Sequence, residues 1–291
     1  MWLLIANPKA GLIRRKGKKV FAPLLEQMQR QGRDCEVVWT ESPEDGEREA
    51  RSAAASGMEG VIAAGGDGTI NQVARGLIGS QTALGLVPGG TVNVLSRALD
   101  SGLGTKAAFK TLLEGSPRDY WPGTINGIPF LTMAGIGLDA AVVAATHDGL
   151  KKRIGRVAYP LTGLLKFGRL EMPPIHGDLL PRPANLVVVG RTPLYGGNFP
   201  LMPDAATFGR QLGLFAFHSP HRLSALKAML TIVARGGKIP RANMSWITRG
   251  AGEQFNFRTE ADCHFQVDGE YAGSAQEFAI AVSEQPLKIW L

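Results

Sequence analysis

Gly65-Gly66-Asp67-Gly68-Thr69 lies between an apolar run, Val61–Ala64, and a segment in which Ile70, Val73, Ala74 and Leu77 recur at helical spacing. A buried strand that enters a glycine-rich turn and leaves it as a helix is suited to holding phosphate. Glycines let the backbone bend and let a bulky anion approach, while the first helical N–H groups point at it. The apolar helix face must pack on a sheet. That places the turn at the carboxyl end of a parallel strand, where α/β proteins bind ligands. Asp67 needs its own account, because a carboxylate repels phosphate. Either it holds Mg²⁺, directly or through water, or it caps the helix beside Thr69. The residues alone leave both open.

Two more turns repeat the design. Leu84–Val87 runs into Pro88-Gly89-Gly90-Thr91 ahead of a helical Val92–Leu99, and Leu3–Ala6 runs into Asn7-Pro8-Lys9-Ala10-Gly11. Each alone is compatible with an ordinary strand-to-helix loop. Three on one sheet edge could surround one nucleotide. Far downstream, Asp268-Gly269-Glu270 carries the Asp-Gly signal of a two-residue hairpin.

The elements that must position these turns alternate through the first third of the chain. Val20–Gln31 has helical periodicity and ends at Gly32, and Cys35–Trp39 is strand-like. Ser42-Pro43-Glu44-Asp45 reads as a helix start, with Ser42 as N-cap. This β-α-β-α-β rhythm predicts an α/β domain with a largely parallel sheet, over residues 1–119. From Tyr120 the chain reads as short strands: Tyr120–Ile125, Ile128–Ala134, Ala184–Gly190, Gly213–Phe217, Glu253–Arg258, Phe265–Val267 and Phe278–Val282. Helical stretches over Ala140–Phe167 and Arg222–Ala234 interrupt them. Residues 120–285 are thus expected to form a second, β-rich domain that takes the substrate, and 286–291 a strand free to return to the first.

The chain's 291 residues, 44% of them hydrophobic, suffice for two cored domains. A net charge of +7 suits anionic partners. Zinc-finger spacing and aromatic–basic RNA-binding patterns are missing, so nucleic acid is not expected. Two distant cysteines fit a reducing, cytoplasmic setting. The five histidines follow no metal-site spacing. Ile128–Ala145 is long and nearly uncharged, but Pro129, Gly135, Gly137 and Asp139 argue against a membrane span. Contact with a membrane is expected from the surface. Lys151–Leu170 mixes cations with Ile154, Leu161, Leu164 and Phe167 and could lie on an anionic bilayer or pack as an ordinary helix.

At these turns the sequence resembles the diacylglycerol kinase catalytic-domain family, bacterial lipid kinases related to sphingosine and ceramide kinases. The shared patterns are Asn7 to Gly11, Gly65 to Thr69 with Asn71-Gln72-Val73, and Pro88 to Val94. They continue through Gly135 to Ala140, Gly155 to Tyr159 and Asp268-Gly269-Glu270, in the family's order. The resemblance implies a first domain like that of NAD kinases and phosphofructokinases, a β-sandwich-like second domain, and ATP with Mg²⁺ in a cleft between them. The ATP contacts it implies are Asn7, Pro8, Lys9, Ala10, Gly11, Thr40, Gly66, Asp67, Gly68, Thr69, Ile70, Asn71, Gln72 and Thr91. Asp67 would serve the metal and the chemistry, and Glu270 would accept the proton as a lipid hydroxyl attacks the γ-phosphoryl group.

The implied reaction is phosphorylation of diacylglycerol or a related lipid, in a cytoplasmic protein that touches an anionic membrane transiently. A homodimer is left open. A soluble-substrate kinase of the NAD-kinase type and a non-catalytic lipid- or nucleotide-binding regulator are the alternatives. Three departures stand out. Gln72 replaces the family's Glu, and Val94 replaces its Asp. Arg210-Gln211-Leu212-Gly213 replaces an acidic loop that holds a structural Mg²⁺ in relatives, with Asp204 as the nearest substitute.

Overall fold

The structure is a computed structural model. It describes residues 1–146, 173–177, 179–196, 198–219, 221, 224, 227, 230–232, 234–239 and 245–291. The basic stretch Lys151–Leu170, His147, Gly155–Tyr159 and most of Arg222–Ala234 lie outside them. The chain forms two units, residues 1–121 with 284–291, and residues 122–283.

The first unit contains β1 (Trp2–Ala6), α1 (Gly11–Lys16), a 3-10 turn (Lys18–Phe21), α2 (Ala22–Arg30), β2 (Cys35–Trp39) and α3 (Asp45–Ala55). Then come β3 (Gly60–Gly65), α4 (Asp67–Leu77), β4 (Ala83–Pro88), α5 (Val94–Ala98), α6 (Thr105–Glu114) and β5 (Pro117–Tyr120). The sheet order is β2-β1-β3-β4, then a strand over Leu287–Trp290, then β5. All neighbours are parallel except at β5. Every residue of β1, β3 and β4 is buried, as helices on both faces demand. One face packs Trp2, Leu4, Ile62 and Val87 against Ile13, Phe21, Leu24, Met28 and Leu112. On α4, Ile70, Val73, Ala74 and Leu77 are all fully buried. Burial of each large side chain contributes about 1.5–3 kcal/mol, more than the roughly 1 kcal/mol of a good cap. The helix is therefore held by its face, and its cap position, Gly66, makes no side-chain bond. Gly76 lets α3 approach: a Cβ there would lie 2.6 Å from the Glu47 carbonyl oxygen.

The start of α3 differs from the sequence expectation. Ser42 is not its N-cap, because the helix begins at Asp45 after Glu44. The Asp45 carboxylate reaches backwards instead and accepts the Glu41 and Ser42 N–H groups, each at 2.8 Å. It serves two amides ahead of the helix, much as the acid of a capping box reaches back to the residue three before it. The Ser42 and Glu41 amides, opposed by burial and helped by the Ser42 and Arg48 side chains, lower the Asp45 pKa from 3.8 to about 2. A depressed carboxyl pKa stabilises the fold above the unfolded value, and that contribution is lost as pH falls through the folded value. Asp45→Asn is expected to melt below the wild type at pH 5. The gap should narrow as pH drops from 3.8 toward 2. Calorimetry across that range checks this, and a pH-independent gap would exclude the carboxylate as its source.

The second unit contains β6 (Gly123–Ile125), β7 (Ile128–Phe130), β8 (Met133–Gly137), α7 (Leu138–Ala145), β9 (His176–Gly177), β10 (Leu186–Gly190), β11 (Leu212–Phe217), β12 (Ile247–Gly252), β13 (Gln254–Val267) and β14 (Glu270–Val282). The strand Leu287–Trp290 of the first unit is β15. The second sheet runs β12-β11-β10-β8-β13-β14-β6-β7, with β9 on β13. Its pairs are antiparallel. The α/β-plus-β architecture is the one read from the sequence.

Three strand boundaries are corrected. Tyr120–Ile125 is two strands in different sheets, parted at Trp121-Pro122, where proline offers no N–H to a ladder. Ile128–Ala134 is also two strands, because the Leu131 and Thr132 amides bond a side chain instead. Glu253–Arg258 and Phe265–Val267 belong to one strand, β13, whose pairing with β14 shifts register between Arg258 and Cys263. Among the described residues no helix is long and apolar enough to cross a membrane.

Candidate active site

β1, β2, β3 and β4 run parallel, so the turns after them share one sheet edge. The chain goes from β1 to β2 on one side and then to β3 on the other, which opens a crevice at the β1 and β3 carboxyl ends. Hydrogen bonds tie the turns together there. Asn7 N–H donates to the Ala64 carbonyl at 3.0 Å, and its Nδ2 donates to Thr69 Oγ1 at 3.1 Å. Asn7 Oδ1 accepts the Lys9 N–H at 2.9 Å. Gly89 N–H donates to Gly65 O at 2.7 Å, and Leu12 N–H donates to Gly89 O at 3.2 Å. Thr40 N–H donates to Ala6 O at 3.0 Å. The contact is too close for side chains: a Cβ on Gly90 would lie 2.8 Å from Gly66 Cα.

Asp67 is the first residue of α4 and Gly66 is its cap position, so Asp67 does not cap its own helix. Its carboxylate crosses to the next turn. It accepts the Val94 N–H at 2.6 Å and the Asn93 N–H at 3.1 Å, at the start of α5. Asn93 sits in the left-handed region (φ 52°) and brackets Gly90, accepting its N–H and donating to its carbonyl. Val94, where the resembled family has Asp, meets Asp67 through its amide and buries its side chain. Among the described residues no three His, Cys, Asp or Glu side chains cluster as a metal site. The Asp67 carboxylate fits a Mg²⁺ bound mainly by phosphate oxygens, for which one or two protein carboxylates are usual.

The other expected contacts divide. Pro8, Gly66 and Gly68 are partly exposed at this edge, and Lys9, Gly11 and Thr91 are exposed. Ala10, Thr40, Thr69 and Asn71 are buried beneath it. Ile70 turns its side chain into the core and has only its backbone to offer. Gln72 is partly exposed. It packs against Gly46 of α3, where a Cβ would lie 3.1 Å from Gln72 Cβ, and it lines a groove with Glu44, Glu47 and Arg48.

Glu270, in the second unit, is exposed at the first residue of β14. The turn before it has positive φ at Asp268 (52°) and Gly269 (84°), the two-residue hairpin that Asp-Gly signals. The Asp268 carboxylate is buried and accepts Leu131 N–H, Thr132 N–H, Thr132 O–H and Met133 N–H, at 2.6–3.1 Å. Burial raises its pKa against the pull of those donors. Asp139, also buried, accepts bonds from the Tyr195 hydroxyl and from Gln266 Nε2. Desolvation raises its pKa as well, while those two bonds oppose the rise.

The loop around Arg210 has its own cation. The fully buried Arg191 guanidinium donates to the carbonyls of Thr207 at 2.8 Å, Gln211 at 3.0 Å and Gly209 at 3.1 Å. Asp204 is exposed. These residues do not suit a structural Mg²⁺, because the loop carbonyls already face a fixed positive charge. Sequence reasoning missed Arg191. Its signal was an arginine directly after the apolar Leu186–Gly190 run. Asp139 and Gln266 were also missed as a pair, since nothing local joins them.

The model for the diacylglycerol kinase catalytic domain matches residues 1–125. A Bacillus subtilis protein named diacylglycerol kinase is 29% identical, over 93% of this chain and 89% of its own length. A Pseudomonas fluorescens protein named probable lipid kinase YegS-like is 32% identical, over 84% of this chain and 81% of its own. Among solved structures, one described as a diacylglycerol kinase from Bacillus anthracis superposes with a TM-score of 0.70 at 21% identity, covering 99% of this chain and 96% of that one. An NAD kinase from Archaeoglobus fulgidus in complex with ATP has the related fold, with a TM-score of 0.51 at 14% identity, over 100% and 94%.

Proposed function

The chain belongs to the diacylglycerol kinase catalytic-domain family, and from that premise we propose that it is a lipid kinase. It transfers the γ-phosphoryl group of ATP, with Mg²⁺, to a hydroxyl of diacylglycerol or a related lipid. The observation that carries this reading is the stitching of the turns at Asn7–Gly11, Gly65–Thr69 and Pro88–Thr91 at one sheet edge, with glycine at the points of closest approach. Such an edge presents backbone N–H groups and the α4 N-terminus to an anion. Bound Mg²⁺ supplies positive charge that offsets the phosphates.

The lipid oxygen forms a bond to the γ-phosphorus as the bond to the β–γ bridging oxygen breaks. The hydroxyl proton passes to Glu270 and ADP leaves. In a loose transition state the proton moves late, so the acceptor need not be a strong base. A lipid acceptor requires the protein to work at a membrane surface, and its net charge of +7 favours an anionic one.

The test is incubation of the full chain with radiolabelled ATP, Mg²⁺ and a lipid panel in mixed micelles, followed by thin-layer separation. A labelled phospholipid from diacylglycerol or a related member is the expected result. Folded protein that labels NAD and no lipid would replace the lipid with a soluble acceptor. Nucleotide binding without any labelled product would make it a regulator.

A further inference from the structure

Glu270 is exposed, and only two ladder pairs, Val267 with Glu270 and Gln266 with Tyr271, separate it from a break in register. The pairing of β13 with β14 shifts register between Phe265 and Gln266, just before the turn. Two side chains reinforce this short end of the ladder. Asp268 anchors the turn to residues 131–133. Gln266, fully buried, accepts the Gly269 N–H on Oε1 at 2.7 Å and donates from Nε2 to Asp139 Oδ2 at 2.7 Å. Only one orientation of that amide works, because the Gly269 N–H can only donate and an Asp139 carboxylate can only accept. Asp139, at the start of α7, is held in turn by the Tyr195 hydroxyl. The backbone makes room for the pair: a Cβ on Gly135 would lie 1.9 Å from Asp139 Oδ2.

A buried carboxylate bonded to neutral partners is a costly way to fill a core. What this arrangement supplies is direction, running from Tyr195 through Asp139 and Gln266 to the amide one residue before Glu270. We infer that Asp139 and Gln266 are positioning residues for Glu270, which orient the hairpin turn that presents its carboxylate to the lipid hydroxyl. This rests on the reading of Glu270 as proton acceptor.

The test is a double-mutant cycle on the full chain, reading lipid phosphorylation by radiolabel. Asp139→Asn introduces a donor that competes with Gln266 Nε2 and favours the flipped amide. It is expected to lower kcat by about 10–100-fold, the range in which small misplacements act, while KM for ATP stays unchanged. In the Glu270→Gln background the same substitution should cost less than about 2-fold, since coupled sites are not additive. Tyr195→Phe, which leaves both acids in place, gives a smaller loss with the same coupling and serves if Asp139→Asn does not fold. Equal losses in both backgrounds would overturn this inference and leave the acceptor role of Glu270 standing. Wild-type turnover in Glu270→Gln alone would overturn the acceptor role, and this inference with it.

Discussion

Glu270→Gln is expected to cut lipid phosphorylation by about 10²–10⁴-fold, the span of general-base contributions, and to leave nucleotide affinity unchanged. The substitution keeps the size and one acceptor oxygen of the side chain and removes its charge. The acceptor hydroxyl must still lose a proton as it attacks, and a neutral amide cannot take it. A loose transition state puts that loss late, which favours the lower end of the range. Glu270 is exposed, so its replacement should move stability by no more than about 0.5 kcal/mol. Lower turnover with unchanged melting is therefore chemistry. The checks are steady-state kinetics in mixed micelles, calorimetric ATP titration and thermal unfolding on one preparation. Unchanged turnover would remove Glu270 from the reaction.

Asp67 offers the second large effect, and two substitutions separate its duties. Asp67→Ala strips the acceptors from the Asn93 and Val94 amides. Leaving partly buried donors without a partner costs about 1–3 kcal/mol, and the turns at Gly66 and Gly90 lose two of the bonds between them, keeping the Gly89–Gly65 backbone bond. Asp67→Asn can still offer one oxygen to one amide, so it should lose less than half as much stability. Both remove the carboxylate charge. If that charge supports Mg²⁺ on the phosphates, both variants lose turnover by about 10²–10³-fold, the scale of a missing electrostatic contact, and the Mg²⁺-dependent part of ATP binding shrinks. If Asp67 only clamps the two turns, Asp67→Asn keeps most activity and Asp67→Ala does not. Unfolding curves with nucleotide titrations at high and low Mg²⁺ distinguish the cases.

What the sequence made legible was local. The α4 face could be read because Ile70, Val73, Ala74 and Leu77 repeat at one period against one sheet. The turn at Asp268-Gly269 could be read because two positive φ angles suit few residue pairs. Partners distant along the chain could not. Nothing in the spacing says that Asp67 reaches Val94, or that Gln266 meets Asp139, because such bonds exist only once the sheets have assembled. Ser42 suited the cap by type, yet the helix begins at Asp45 after Glu44, and only the path of the backbone decided that. At Pro122 the apolar pattern ran on while the hydrogen-bonding partner changed sheets.

β15 carries a consequence for how the chain is made. It lies between β4 and β5, and among the described residues β5 has no other neighbour in its sheet. When Tyr120 leaves the ribosome its strand partner has not yet been translated, and the whole of residues 122–283 must emerge first. The second unit holds all of its own strands by then, and Ser283 N–H donates to Pro122 O where its two ends meet. The order of emergence therefore favours closing the inserted unit before the enclosing one, so the sheet edge that carries the Asn7, Gly65 and Pro88 turns is completed only after residues 122–283 have emerged.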